Sequence, residues 1–182
     1  MNRKNSNSLA EAQVMNENAQ YRCIGLTIET RSDYCAQKDI DWMLHLGTTR
    51  VEIGIQSTDE DLLEKTKRGH GTKKNVEAIK LVKNNGLKAC AHWMPGLTGI
   101  EKLDLKKELE MFELLFSNPE YRPDELKIYP TLVIPGTELH ELWQKGTYEP
   151  LGVSDAIDLL IKMKSIVPKY VRIKRISRDI SE

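Results

Sequence analysis

The feature that most limits how this chain can fold is an alternation: short runs with a two-residue apolar period take turns with longer runs of helical period, from about residue 22 to residue 176. Arg22–Glu29, Arg50–Gln56, Leu87–Met94, Leu126–Tyr129 and Val171–Ile176 read as strands. The helical runs between them are Asp39–His45, closed by Gly47; Asp59–Lys67, with Leu62 and Leu63 inward; and Asn75–Asn84, with Val76, Ile79 and Val82 on one face. Then come a stripe of Leu105, Leu109, Phe112 and Phe116, a short helix over Thr137–Lys145, and a longer one capped by Ser154 with Ala156, Leu160, Met163 and Val167 as its stripe. Strand and helix alternating at this interval predict right-handed crossovers and a parallel sheet, hence an α/β fold. Five strands are too few to close an eight-stranded barrel, so the pattern suits a partial barrel or an open parallel sheet.

Residues 1–20 read as an N-terminal helix or arm, and residues 21–182 as one domain without an internal linker or repeat. A chain of 182 residues can bury a substantial core. Twenty-seven basic and twenty-seven acidic residues cancel, so bulk charge argues for no polyanionic partner, and any such case rests on local clusters. No window reaches the ~18 apolar residues of a membrane helix and no signal-peptide core is visible, which predicts a cytoplasmic protein without a membrane partner. Cys23, Cys35 and Cys90 are spaced neither as a disulfide framework nor as a metal knuckle.

In a parallel sheet, ligands bind at the carboxyl ends of the strands. The groups expected there are Glu29 and Arg31 from the first strand, Gln56 and Ser57 from the second, Arg68 and His70 just beyond it, His92 from the third, and Lys127 and Tyr129 from the fourth. Together they offer a carboxylate for an ammonium, an amide and an imidazole for hydroxyls, and a guanidinium for a carboxylate, the set that an amino-acid-bearing nucleoside requires. Each also has a plain structural reading. Gln56–Ser57 is then a strand end and helix N-cap, Glu29 and Arg31 a surface pair, Arg68 a helix-end cation, His92 a satisfied buried histidine, and Lys127 and Tyr129 strand-end lining.

The ordered runs Cys23–Cys35, Arg50–Ser57, Arg68–His70, Ala91–Leu97, Arg122–Ile134 and Arg175–Ile180 resemble the catalytic subunit of Elongator. That family consists of radical S-adenosylmethionine enzymes acting on the wobble uridine of tRNA. The resemblance implies a partial (βα)6 TIM-type barrel, S-adenosylmethionine on a 4Fe-4S cluster, acetyl-CoA as co-substrate, and transfer of an acetyl-derived carbon to C5 of uridine 34. Carried over by motif, Glu29 receives the ammonium of S-adenosylmethionine, Arg68 its carboxylate and Gln56 a ribose hydroxyl. His92 stands where relatives place an acidic ribose ligand. Arg31, Lys127 and Tyr129 become possible substrate contacts. The basic stripe Lys164, Lys169, Arg172, Lys174, Arg175 and Arg178 suits tRNA phosphates, with a solvated strand edge as the other reading.

Departures from the family pattern shape the expectation. Cluster-binding members group three cysteines, and here the cysteines stand twelve and fifty-five residues apart. Ser32 replaces a usual proline. The first barrel strands, the glycine-rich element and the acetyltransferase domain find no counterpart. The chain is therefore expected to be the C-terminal part of a radical domain, inactive alone, and to regain activity only with a separate chain carrying the cluster half and acetyltransferase domain. The alternatives are a non-catalytic tRNA- or protein-binding assembly module and a truncated gene fragment. An unpaired edge along Cys23–Glu29 is also expected, which Leu9–Asn18 could cover.

Overall fold

The computed structural model describes residues 6–177. The Arg178–Ile180 end of the last motif, including the Arg178 member of the basic stripe, lies outside the described residues. In chain order the elements are α1 (Leu9–Glu17), β1 (Thr27–Thr30), α2 (Gln37–His45), β2 (Arg50–Gln56), α3 (Glu60–Lys65), α4 (Thr72–Asn84), β3 (Lys88–Trp93), α5 (Leu105–Ser117), β4 (Glu125–Ile128), α6 (Glu138–Gln144), α7 (Val153–Ile166) and β5 (Arg172–Ile176). The five strands form one sheet in the order β1-β2-β3-β4-β5, and every neighbouring pair is parallel. Spatial order that follows chain order, with no reversal point, is the topology of a barrel segment rather than of a doubly wound sheet.

Register assigns the two faces. Val51 pairs with Ala89, Ile53 with Ala91 and Ala91 with Leu126, so these side chains share one face, which the helices cover. Ile53, Ile55, Trp93, Leu126 and Ile128 are fully buried there against Ile79 and Val82 of α4, Phe112 and Leu115 of α5, and Met163 of α7. Phe112 sits edge-on to both Trp93 and Phe116, at 5.4 and 5.3 Å between ring centroids. The opposite face carries Glu29, Glu52, Cys90, His92, Glu125 and Lys127, and this is the face that matters for chemistry.

Three expectations are corrected. The first strand is shorter than Arg22–Glu29, because β2 begins only at Arg50 and leaves residues 22–26 without a strand to pair with. Leu26 instead donates its N–H to Thr49 Oγ1, and Cys23 is held by the Asn16 side chain, whose Oδ1 accepts from Cys23 N–H at 2.7 Å and whose Nδ2 donates to Cys23 O at 2.9 Å. The arm thus meets the start of the edge at Cys23. Gly152, not Ser154, is the N-cap of α7, with Ala156 N–H bonded to Gly152 O. The buried residues of α7 are Leu159 and Met163, while Leu160 and Val167 are only half-buried. Apolar residues surround this helix, so periodicity alone did not choose its face.

One buried contact ties α4 to the end of β2. Asn75, fully buried, donates from Nδ2 to Ile55 O at 3.1 Å and Ser57 O at 3.3 Å, and its Oδ1 accepts from Ser32 Oγ at 2.5 Å. The serine that departs from the family pattern therefore supplies a donor that proline lacks. Ser32→Ala is expected to cost about 1–2 kcal/mol of stability in urea unfolding by leaving the Asn75 oxygen unpaired.

Candidate functional site

The carboxyl end of β2 is shaped by a break in regular pairing. The register against β3 shifts between Ile53 and Gln56, and Gln56 adopts a left-handed backbone with φ 63°. Its Oε1 is buried without a hydrogen-bond partner among the described residues. Ser57 does not cap the next helix: its Oγ accepts from Asp59 N–H, and Asp59 caps α3 by accepting from Leu62 N–H.

Arg68, just past α3, folds back over β2. Its Nη2 donates to Gly54 O at 2.8 Å and its Nε to the same oxygen at 3.3 Å. Glycine is required for this approach, because a β-carbon at 54 would lie on the Arg68 guanidinium and crowd the Gln56 amide. The guanidinium is half-buried and has no carboxylate within ion-pair distance among the described residues. Burial, followed by the neighbouring charge of Arg31, pulls it below its ordinary pKa. Arg31 is itself engaged by Asp33 in a two-point contact of 2.9 and 2.6 Å, which holds the Asp33 carboxyl below its usual range. Arg68 is therefore left without an ion-pair partner of its own among the described residues, next to an unpaired amide oxygen. Both nitrogens of His70, beside the Gly71 backbone, are also buried with no well-formed hydrogen bond among the described residues.

Below the mouth, on the same sheet face, lies a charged interior. Glu52 on β2 is 3% exposed. Its Oε2 accepts from His92 Nε2 at 2.9 Å and from Lys127 Nζ, and its Oε1 accepts from Lys174 Nζ at 2.7 Å. Arg50 pairs with Glu125 at 2.6 Å and completes the layer. Burial alone would raise the Glu52 pKa; hydrogen bonds from Lys127, Lys174 and His92 outweigh it and bring it down to about 2. For His92 burial prevails over Glu52 and Glu29, so the imidazole stays below its usual range and neutral at neutral pH. Its Nδ1 lies 3.6 Å from Glu29 Oε1, and Tyr129 stands edge-on to its ring at 5.5 Å.

The structure thus brings Glu29, Gln56, Arg68 and His92 to one face and one end of the sheet. Arg31 lies at the rim, Tyr129 beside His92, and Lys127 and Lys174 point inward onto Glu52 rather than outward. Arg172 and Arg175 are exposed on β5, the edge strand. Glu52, Arg50 and Glu125 do not stand out as site residues in the sequence, whereas His70 is one of the groups expected at the mouth. The polar alternation within Arg50–Ser57 was the available signal for Glu52, but its partners lie 40, 75 and 122 residues away.

The residues fit the two proposed groups differently. An uncompensated guanidinium, an unpaired amide oxygen and a carboxylate on one face suit the methionine and ribose portions of S-adenosylmethionine. A metal centre does not fit. Glu52, Cys90 and His92 bring ligand atoms within 4.8 Å of one another, yet two ammonium groups and an imidazole already occupy the carboxylate, and burial pushes the Cys90 thiol up to about 12. Nor do the cysteines form a cluster set: Cys23 is exposed before β1, Cys35 is buried beyond it, and Cys90 lies inside β3.

Comparison with known proteins shows the family and the fold. Residues 4–112 match the radical SAM superfamily and residues 123–182 the radical SAM C-terminal domain. A tRNA uridine(34) acetyltransferase of Methanocaldococcus jannaschii is 48% identical over 180 residues, 99% of this chain and 33% of the relative. Human Elongator complex protein 3 is 45% identical over 175 residues, 96% and 31% of the two chains. The chain spans about a third of the length of these curated relatives. The solved structure of the archaeal Methanocaldococcus infernus Elp3 with an N-terminal deletion superposes with a TM-score of 0.93 at 47% identity, covering 99% of this chain and 42% of that one. The radical S-adenosylmethionine methyltransferase TsrM of Kitasatospora setae shares the fold alone, with a TM-score of 0.59 at 11% identity over 90% of this chain and 41% of that one. No helix among the described residues is long and apolar enough to cross a membrane. The chain, with its in-order parallel sheet and polar strand tips, belongs to the radical SAM superfamily, where its relatives carry the names tRNA uridine(34) acetyltransferase and Elongator complex protein 3.

Proposed function

We propose that this chain forms the S-adenosylmethionine-binding wall of a radical enzyme that modifies wobble uridine 34 of tRNA, with acetyl-CoA as the source of the added carbon. One observation carries the reading: Arg68, half-buried and without a counter-ion among the described residues, lies against Gly54 beside the Gln56 oxygen, itself unpaired among those residues, on the face that also carries Glu29. In this reading Arg68 takes the ligand carboxylate, Glu29 the ammonium, and Gln56 and His92 the ribose hydroxyls. S-adenosylmethionine, if held there, would supply the hydrogen-abstracting chemistry of the family, with Arg68, Glu29, Gln56 and His92 binding and orienting it. The cysteines that bind the cluster come from polypeptide outside this sequence. Arg172 and Arg175, exposed on the edge strand, contact tRNA phosphate, whereas Lys174 is held inside by Glu52.

The test is calorimetric titration of the chain with S-adenosylmethionine. Saturable binding that falls at least ~10-fold in Arg68→Ala is expected, as for loss of a charge-assisted contact. Equal affinity in wild type and Arg68→Ala would rule the site out. With iron, sulfide and reductant added, the chain alone is expected to release no 5′-deoxyadenosine. The dispersal of the three cysteines also favours a second reading, a non-catalytic module that retains tRNA or a protein partner. Salt-sensitive tRNA retention without any S-adenosylmethionine binding is the result that would select it.

A further inference from the structure

Glu29 Oε1 and His92 Nδ1 face each other at 3.6 Å, beyond hydrogen-bond length. The other ring nitrogen, Nε2, is 2.9 Å from Glu52 Oε2. A carboxylate only accepts, so the nitrogen bonded to it carries the proton, and a neutral ring then has its lone pair on Nδ1. Glu52 plays this part without charging the ring, because burial disfavours the imidazolium and Lys127 and Lys174 already neutralise the carboxylate. Two acceptors are thus left facing one another near the carboxyl end of β1 and β3, with no described donor between them.

We propose that Glu52 is a positioning residue: it fixes His92 in its Nε2-protonated neutral tautomer, so that Nδ1 and Glu29 together receive an N–H or O–H donor of the bound ligand. Nothing in the motif match requires this, since Glu52 is not itself among the expected ligand contacts. It acts through the imidazole. The donor is an ammonium or a ribose hydroxyl, and only this identity rests on the S-adenosylmethionine reading. The arrangement also explains a charged, twice-ammonium-bound carboxylate inside the sheet, which packing alone does not call for.

The test is ring ¹⁵N NMR of the labelled chain at neutral pH, with the His92 signals assigned by their loss in His92→Gln. The wild type is expected to show one neutral tautomer protonated on Nε2. In Glu52→Gln the side-chain NH2 presents donors, and the major tautomer is expected to become Nδ1-protonated, donating to Glu29. Glu29→Gln is expected to keep the wild-type tautomer. A wild-type ring protonated on Nδ1 or on both nitrogens overturns the proposal, as does an unchanged tautomer in Glu52→Gln or a switched one in Glu29→Gln. If Glu52→Gln does not fold, the wild-type and Glu29→Gln spectra still decide. Added S-adenosylmethionine is expected to shift Nδ1 more than Nε2; binding that leaves Nδ1 unmoved contradicts the proposal. Absence of binding counts against the ligand reading, while the tautomer spectra judge Glu52 independently.

Discussion

Glu52→Leu is expected to lower the unfolding free energy by about 3–5 kcal/mol, the largest single-residue effect on the charged face of the sheet. The substitution leaves two ammonium groups, on side chains 17% and 20% exposed, and one imidazole without their shared acceptor. Leucine fills the volume but accepts nothing, and the lysines must either reach water or lose their charge. Urea unfolding at neutral pH measures the loss. Its pH dependence carries the mechanism. The folded pKa of Glu52, about 2, lies below its ordinary 4.5, so the stabilisation is fully present above about pH 4.5 and disappears as pH falls through about 2. A depression of this size corresponds to about 3 kcal/mol. The stability gap between wild type and Glu52→Gln should therefore be full at pH 6 and close between pH 4.5 and 2. A gap that stays constant across that range would mean Glu52 stabilises by packing and not as an anion.

Gly54→Ala is expected to fold normally yet lose S-adenosylmethionine affinity by about 10- to 100-fold. Gly54 does not have the positive φ of a glycine-only conformation, so alanine fits the strand. Its methyl group would take the place of the Arg68 guanidinium end and press on the Gln56 amide. A long side chain yields more readily than a buried strand, so Arg68 swings away and the contacts to Gly54 O are lost. Charge-assisted hydrogen bonds worth about 1.5–3 kcal/mol set the expected loss. Calorimetric titration alongside a thermal melt separates the two effects. Unchanged affinity in the variant would remove Arg68 and Gln56 from the ligand site together, while a collapsed melt would show that Gly54 serves the sheet instead.

The strands are readable in the sequence to within a few residues where turn residues flank a short apolar run, as at Arg50–Gln56 and Lys88–Trp93. Boundaries slipped where a residue's partner lay outside its own segment. Residues 22–26 carry strand chemistry but have no strand beside them, and α4 starts at Thr72, earlier than its apolar stripe, because Glu60 accepts from both the backbone N–H and the hydroxyl of Thr72 at 2.6 Å. The same limit applies to the site. Glu29, Gln56, Arg68 and His92 were nameable because they end strands or follow one in an ordered motif. Glu52 looked like one more polar residue on a strand, and Lys174 like one more cation in a basic stripe. Neither could be seen as half of a pair.

From residue order alone came what neighbours along the chain decide: the alternation of strand and helix, hence parallel pairing, and the chemical kinds of group set at each strand's carboxyl end. Tertiary structure decided which of those groups are satisfied and which are left wanting a partner. Parallel strands stack laterally about 4.8 Å apart, so residues from segments far apart in the chain become nearest neighbours. Only that stacking separates a lysine neutralised by Glu52 from an arginine with no counter-ion among the described residues, and it is the second on which the proposed ligand site is built.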